Sequence, residues 1–298
     1  MARSGLLLVD KPQGPSSAEI VSRVKAALRA KKVGHLGTLD PFASGLLPLG
    51  INEATKIAGL FLGARKSYAG TIALGVETDS QDSTGRVIRT ADAPPLEDRD
   101  LDVLRQKFSG SLWQTPPMFS ALKKDGERLY RLARRGEVVE REPRQVEIER
   151  LRFWRAAPGE IQFELTCSKG TYVRAWAADI GSFLGCGAHL KSLRRLACGH
   201  LSLDQAAPLD FIERVKDEAK LPILGLNQAL SHLLSIALSE AQAAQVRRGQ
   251  QEFLRTLDPP REGEILARLI DPRDELVAVV QWAGPIAWRL MRVFPEEA

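Results

Sequence analysis

A carboxylate in a glycine-rich, proline-locked setting is the first feature of this sequence that could do chemistry. It is Asp40, in the run Gly34-His35-Leu36-Gly37-Thr38-Leu39-Asp40-Pro41-Phe42-Ala43-Ser44-Gly45. Three glycines in so short a stretch suit unusual backbone torsions or close approach to a ligand. Pro41 biases Asp40 toward an extended conformation. The carboxylate is then held in one direction on a rigid loop, as a catalytic group requires. Asp-Pro is also a common turn dipeptide, so residue types alone leave a turn cap open as the alternative. A second feature is cationic. Arg128, Arg131 and Arg135 recur at i, i+3 and i+7 along a helix predicted over 127–135, with Lys123, Lys124 and Arg134 beside them. Such a row either follows a phosphate strand or is a solvated face. Cys186, His189, Cys198 and His200 lack the usual zinc-ligand spacing and have Arg194 and Arg195 between them, so no metal site is expected.

The elements that must position these residues belong to a chain of 298 residues, long enough for one large domain or two. Its 44% hydrophobic and 27% charged content fits a globular enzyme and excludes a disordered chain. No stretch approaches the roughly 18 consecutive apolar residues of a membrane span. The first nine residues are too weakly patterned for a signal peptide, and three unpaired cysteines fit a reducing compartment, so a cytoplasmic location is expected. The net charge of +5 is uneven. Residues 231–298 carry 8 basic and 10 acidic side chains, which leaves +7 on residues 1–230. That basic part points to a polyanionic partner, nucleic acid being the commonest.

Residues 5–9 read as a short buried strand. Ser16 and Glu19 have capping-box spacing before a helix with Ile20, Val24, Ala27 and Leu28 on one face. The segment 34–50 shows no helix or strand period and reads as a shaped loop, closed by a helical turn near its end. Residues 67–75 alternate with period two, placing Tyr68, Ile72 and Leu74 on one face, and 86–90 is expected to pair with them. Leu101, Leu104 and Phe108 mark a helix. The helix over 127–135 ends at Gly136, in the C-cap position. Strands follow over 146–154 and 161–167. Val173, Trp176, Ala177, Ile180 and Leu184 recur at helical spacing, and 193–203 is extended again. After a boundary near 221–231 come a short helix capped by Ser239 and Gln242, and strands over 266–270 and 276–282. Strands pairing with neighbours under helices describe an α+β fold rather than regular βαβ alternation.

The loop through Pro48 resembles the GHxGxLDPxAxGxLP signature of the TruB and dyskerin family of pseudouridine synthases. Val9-Asp10-Lys11-Pro12 with Gly14 resembles the family's opening motif, and Lys66-Ser67-Tyr68 with Gly75 and Asp79 its tyrosine motif. The segment 114–122 (QTPPMFSAL), continued to Arg134, resembles its RNA-clamping insert. Cys167-Ser168-Lys169-Gly170-Thr171-Tyr172-Val173-Arg174 resembles its arginine motif, and Gly187-Ala188-His189-Leu190 through Leu193-Arg194-Arg195 its last. Several motifs in order, over residues 6–203, make a chance match remote.

The resemblance implies a pseudouridine-synthase fold: a large mixed, mainly antiparallel sheet flanked by helices over 1–230, with an RNA-clamping insert at 120–145. A small β-rich PUA-like RNA-binding domain would follow at 231–298. It implies isomerisation of uridine at position 55 in the T-loop of tRNA, by base flipping and an Asp carboxylate, with no cofactor and no obligatory protein partner. Asp40 is then the catalytic carboxylate and Arg174 its partner. Tyr68 stacks on the target uracil and assists removal of the final proton. His35 fills space vacated by bases leaving the stack, and Leu193 lines the uracil pocket. Lys123, Arg128, Arg131 and Arg135 contact the T-arm. The guide-RNA-dependent branch of the family is the second reading; Ser120-Ala121-Leu122-Lys123 and Arg128-Leu129-Tyr130 look closer to the stand-alone branch. A non-catalytic RNA chaperone is the third, opposed by Asp40, Tyr68 and Arg174 standing together.

Overall fold

Apolar residues at i, i+4 and i+8 account for the first helix. In the computed structural model, which describes residues 3–120, 122–124, 126–215, 217–261, 265–284 and 288–296, Ser17–Leu28 buries Ile20, Val24 and Leu28. Each such side chain contributes roughly 1.5–3 kcal/mol when fully removed from water. Ala27, expected on the same face, is exposed, because it lies one position off the stripe. The Ser16 hydroxyl accepts the Glu19 amide, as the spacing predicted.

The helix packs on one mixed sheet whose main path runs Ala207–Pro208, Gly5–Lys11, Ser44–Ile51, Ala188–Cys198, Lys66–Leu74, Glu160–Cys167, Arg144–Ala157, Gly110–Gln114. Pairing is antiparallel except where Gly5–Lys11 meets Ala207–Pro208 and Ser44–Ile51 meets Ala188–Cys198. On one face, Tyr68, Ile72, Phe163 and Leu165 join Val173, Trp176 and Ile180 of the Val173–Phe183 helix in the main core. A second core unites Leu6, Leu8, Leu36 and Leu46 with Leu276 and Val279 of a smaller four-stranded sheet and with Phe294 just past its last strand. That sheet orders Leu234–Ala237, Leu266–Ile270, Leu276–Trp282 and Trp288–Val293, with the Glu240–Arg247 helix packed on it through Ala243 and Val246.

Three expectations are corrected. The segment 34–50 is not a loop throughout: Val33–His35 and Ser44–Ile51 are strands, and the second pairs along its length with Gly5–Lys11. A strand buried on both faces carries no alternation, and Pro48 and two glycines disguised it further. The Pro48 carbonyl still accepts the Leu36 amide at 2.9 Å. Next, Val87–Thr90 pairs with Val76–Thr78, not with the strand before Gly75. Gly75, at φ +82°, turns the chain between them, and its amide and carbonyl are taken by Gly187 and Ala91. Finally, the helix expected over 127–135 spans only Leu129–Arg134. Glu127–Arg128 is a strand paired with Lys123–Lys124, while Gly136, at φ +79°, follows the helix end as expected.

Candidate active site

Asp40 sits on a loop whose carbonyls are held from below by buried cations. Lys11, fully buried at the end of its strand, donates to the carbonyls of Pro12, Pro41 and Ala43 at 2.9, 3.3 and 2.7 Å. Burial pushes its ammonium down to about 8, against the opposing pull of Asp40. Arg195 donates to Leu46, Thr38 and Gly37 carbonyls at 2.6, 3.0 and 3.3 Å. Gly45, at φ +100°, permits the approach, since a Cβ there would lie 2.4 Å from the Arg195 carbonyl oxygen. The Ser17 hydroxyl donates to Leu39 O and accepts its amide, and Gly14 N donates to Pro41 O. The loop that carries Asp40-Pro41 is therefore held from several sides.

Arg174 reaches this loop from the first turn of its helix. It is 4% exposed, and its Nε lies 2.9 Å from Asp40 Oδ2. The pairing that the resemblance implies is present, but it is not bidentate. Nη1 donates to Ser80 O at 2.9 Å and Nη2 to Phe119 O at 2.8 Å, which leaves only Nε for Asp40. A second carboxylate, Asp82, lies 3.6 Å from Nη1 and is 4% exposed. The guanidinium thus stands between one open and one buried carboxylate, a setting that compensates its own burial.

Two cavities meet at this pair, sharing Thr38, Asp40, Tyr172 and Arg174. The smaller, about 240 Å³, is walled by Tyr68, Leu193 and Cys167. The larger, about 580 Å³, is walled by Asp82, Thr84, Phe119, Ser120 and Tyr130. Burial pushes the Tyr68 phenol up to about 12, partly offset by Arg195. At neutral pH the resting phenol keeps its proton and presents a flat face with a polar tip. The Tyr172 backbone is fixed by Gln114, which donates to its carbonyl at 3.0 Å and accepts its amide at 2.8 Å.

Structure and expectation part over the remaining residues. Asp40, Tyr68, Arg174 and Leu193 come together around the smaller cavity. His35 lines neither cavity; it is half-buried on its short strand, opposite Leu49. Its Nδ1 has no hydrogen-bond partner among the described residues, and burial, then Arg195, lowers its pKa. The basic row is shorter than its spacing suggested, because Arg135 pairs with Glu127 and Glu137. Arg128 and Arg131 are exposed and flank Tyr130, whose phenol Arg131 and then Arg128 pull down. The side chain of Lys123 lies outside the described residues. Cys186 and Cys198 fall in separate cores, and His189 meets the Val76 carbonyl. Residue-by-residue reading missed Asp82, Arg195, Tyr172 and Tyr130 as parts of the site. For Asp82 the signal was present, in the acidic, hydroxyl-rich turn Asp79-Ser80-Gln81-Asp82-Ser83-Thr84-Gly85, but a turn explained it equally well.

Comparison with known proteins identifies the family. Residues 25–173 match the TruB family pseudouridylate synthase N-terminal domain, and residues 174–278 the tRNA pseudouridylate synthase B C-terminal domain. The chain is 44% identical to tRNA pseudouridine synthase B of Geobacter sulfurreducens, over 97% of this chain and 99% of that one. It is 42% identical to the protein of the same name from Burkholderia mallei, over 94% and 93%. Among solved structures, a Cbf5-Nop10-Gar1 complex superposes with a TM-score of 0.72 at 24% identity, over 97% of this chain and 84% of that one. That likeness speaks for the fold. The large mixed sheet and the β-rich C-terminal sheet are those of a pseudouridine synthase, an isomerase acting on RNA. Within that class, the chain belongs to the TruB family of tRNA pseudouridine synthases.

Proposed function

We propose that the protein converts uridine at position 55, in the T-loop of tRNA, to pseudouridine, with Asp40 as the catalytic carboxylate. The observation that carries this reading is Asp40 itself: 43% exposed at the junction of two cavities, yet held by an arginine that is almost wholly buried. The reaction detaches uracil from ribose, turns it and rejoins it through carbon 5. An ionised carboxylate serves this by attacking the sugar or the ring, or by acting on the proton at ribose carbon 2. The smaller cavity suits a flipped uracil, with Tyr68 as the stacking face and Leu193 as the apolar wall. Tyr68 faces the same cavity as Asp40, which suits a group that also assists removal of the final proton.

His35 stands outside both cavities, as suits a residue that fills the gap left in the RNA stack. Lys123, Arg128 and Arg131 grip the T-arm phosphates, Arg135 contributing less because its charge is already matched. Residues 1–230 form the catalytic domain with its insert at 120–145, and 231–298 a PUA-like domain that touches RNA. The enzyme works in the cytoplasm without cofactor or protein partner. Among the described residues no helix is long and apolar enough to cross a membrane. The test is incubation with an unmodified tRNA transcript, followed by chemical mapping of pseudouridine. Modification at position 55 is expected; a product at another position, or none, overturns the assignment.

A further inference from the structure

The buried carboxylate of Asp82 is more fully specified than its distance from Arg174 would require. Its Oδ1 accepts three hydrogen bonds: from Ser80 Oγ at 2.7 Å, Thr84 Oγ1 at 2.6 Å and Thr84 N at 3.0 Å. The other oxygen, Oδ2, is the one turned to Arg174 Nη1. The backbone is pinned too, since Thr78 Oγ1 donates to Asp82 O at 2.7 Å. Ser80 acts twice, because its carbonyl accepts Arg174 Nη1 while its hydroxyl holds Asp82. Room for that hydroxyl depends on Gly85, where a Cβ would lie 2.3 Å from Ser80 Oγ.

We propose that Ser80 and Thr84 are positioning residues for pseudouridine formation: their hydroxyls fix the rotation of the Asp82 carboxylate, Asp82 fixes the Arg174 guanidinium, and the guanidinium aims Asp40. The physical reason is directional. A carboxylate with one oxygen saturated by three donors cannot rotate without breaking bonds to a charged acceptor. Its free oxygen then has a fixed place beside Nη1. The 3.6 Å separation is too long for a hydrogen bond, so Asp82 acts on Arg174 through charge and orientation. Without the hydroxyls the carboxylate is free to turn toward Nη1 and form a direct bond, drawing the guanidinium from Asp40.

The inference rests on the proposed activity and is tested with the full-length protein on a tRNA transcript under single-turnover conditions. Thr84→Val keeps the shape of the side chain and Ser80→Ala removes one oxygen. Each is expected to lower the rate of the chemical step about tenfold, the size of one missing hydrogen bond to a charged acceptor. tRNA Kd should stay within about two-fold, and Thr84→Ser, which restores the hydroxyl, should recover the rate. In an Asp82→Asn background, Thr84→Val and Ser80→Ala should cost nothing further, because they act through Asp82. A rate loss that is additive in that background, an effect confined to Kd, or a Thr84→Val rate equal to wild type would each overturn the inference while leaving an active wild type to support the function. A wild type that forms no pseudouridine overturns both.

Discussion

The loop around Asp40 and the insert around Arg128 both border the larger cavity and both carry charge, yet they are built in opposite ways. Lys11, Arg195 and Arg174 are buried and direct their donors to main-chain carbonyls, so that one carboxylate is left open. Arg128, Arg131 and Arg135 stand in solvent on and beside a six-residue helix, one of them paired with neighbouring glutamates. Burial makes each charge in the first region costly to disturb, whereas screening makes those in the second worth little individually. Chemistry belongs to the rigid region. Adjustable grip on a long polyanion belongs to the solvated one.

That contrast breaks most sharply at Asp40. Asp40→Asn keeps shape and polarity but removes the ionised group, and turnover should fall on the order of 10⁴-fold or more with tRNA binding within a few-fold. Single-turnover assay of a preparation free of deamidation checks it, and measurable product would end the assignment. Arg174→Lys is expected to come next, at roughly 10²- to 10³-fold in rate, the range for breaking a buried ion pair. One ammonium cannot reach Asp40, Ser80 O and Phe119 O together. Unchanged chemistry in that variant would show the ion pair to be incidental.

Reversing Arg128 and Arg131 to Glu should do the converse, leaving the chemical step intact while weakening tRNA binding. Its signature is a flatter log–log salt dependence, by roughly one unit for each phosphate that is no longer neutralised. An unaltered affinity and slope would make the helix a solvated surface only. The smallest effect concerns Tyr68. Its phenol keeps its proton to about 12 when folded, whereas an unperturbed tyrosine releases it near 10. Between those values the native state binds more protons than the unfolded chain, so stability falls as pH rises through the window. Tyr68→Phe should remove that part of the decline, read as a shallower drop of the urea midpoint between about pH 10 and 12. An identical slope in the two proteins would place the phenol nearer water than its burial indicates.

Residue types and spacing alone settled that Ser16 caps a helix, and that Val173, Trp176, Ala177 and Ile180 share a buried face. These are local properties, set by capping and by a period within one element. Motif resemblance added Arg174, Tyr68 and Leu193, which no period distinguishes from core residues. Other features were decided only in the tertiary structure. Ser44–Ile51 became a strand because neighbours cover both its faces, which erases the alternation that announces one. Asp82 acquired its place because a turn that reads as an ordinary bend is folded beneath an arginine 92 positions further along. Burial of a charge depends on what arrives from distant parts of the chain, and a sequence read along its length holds no record of that arrival.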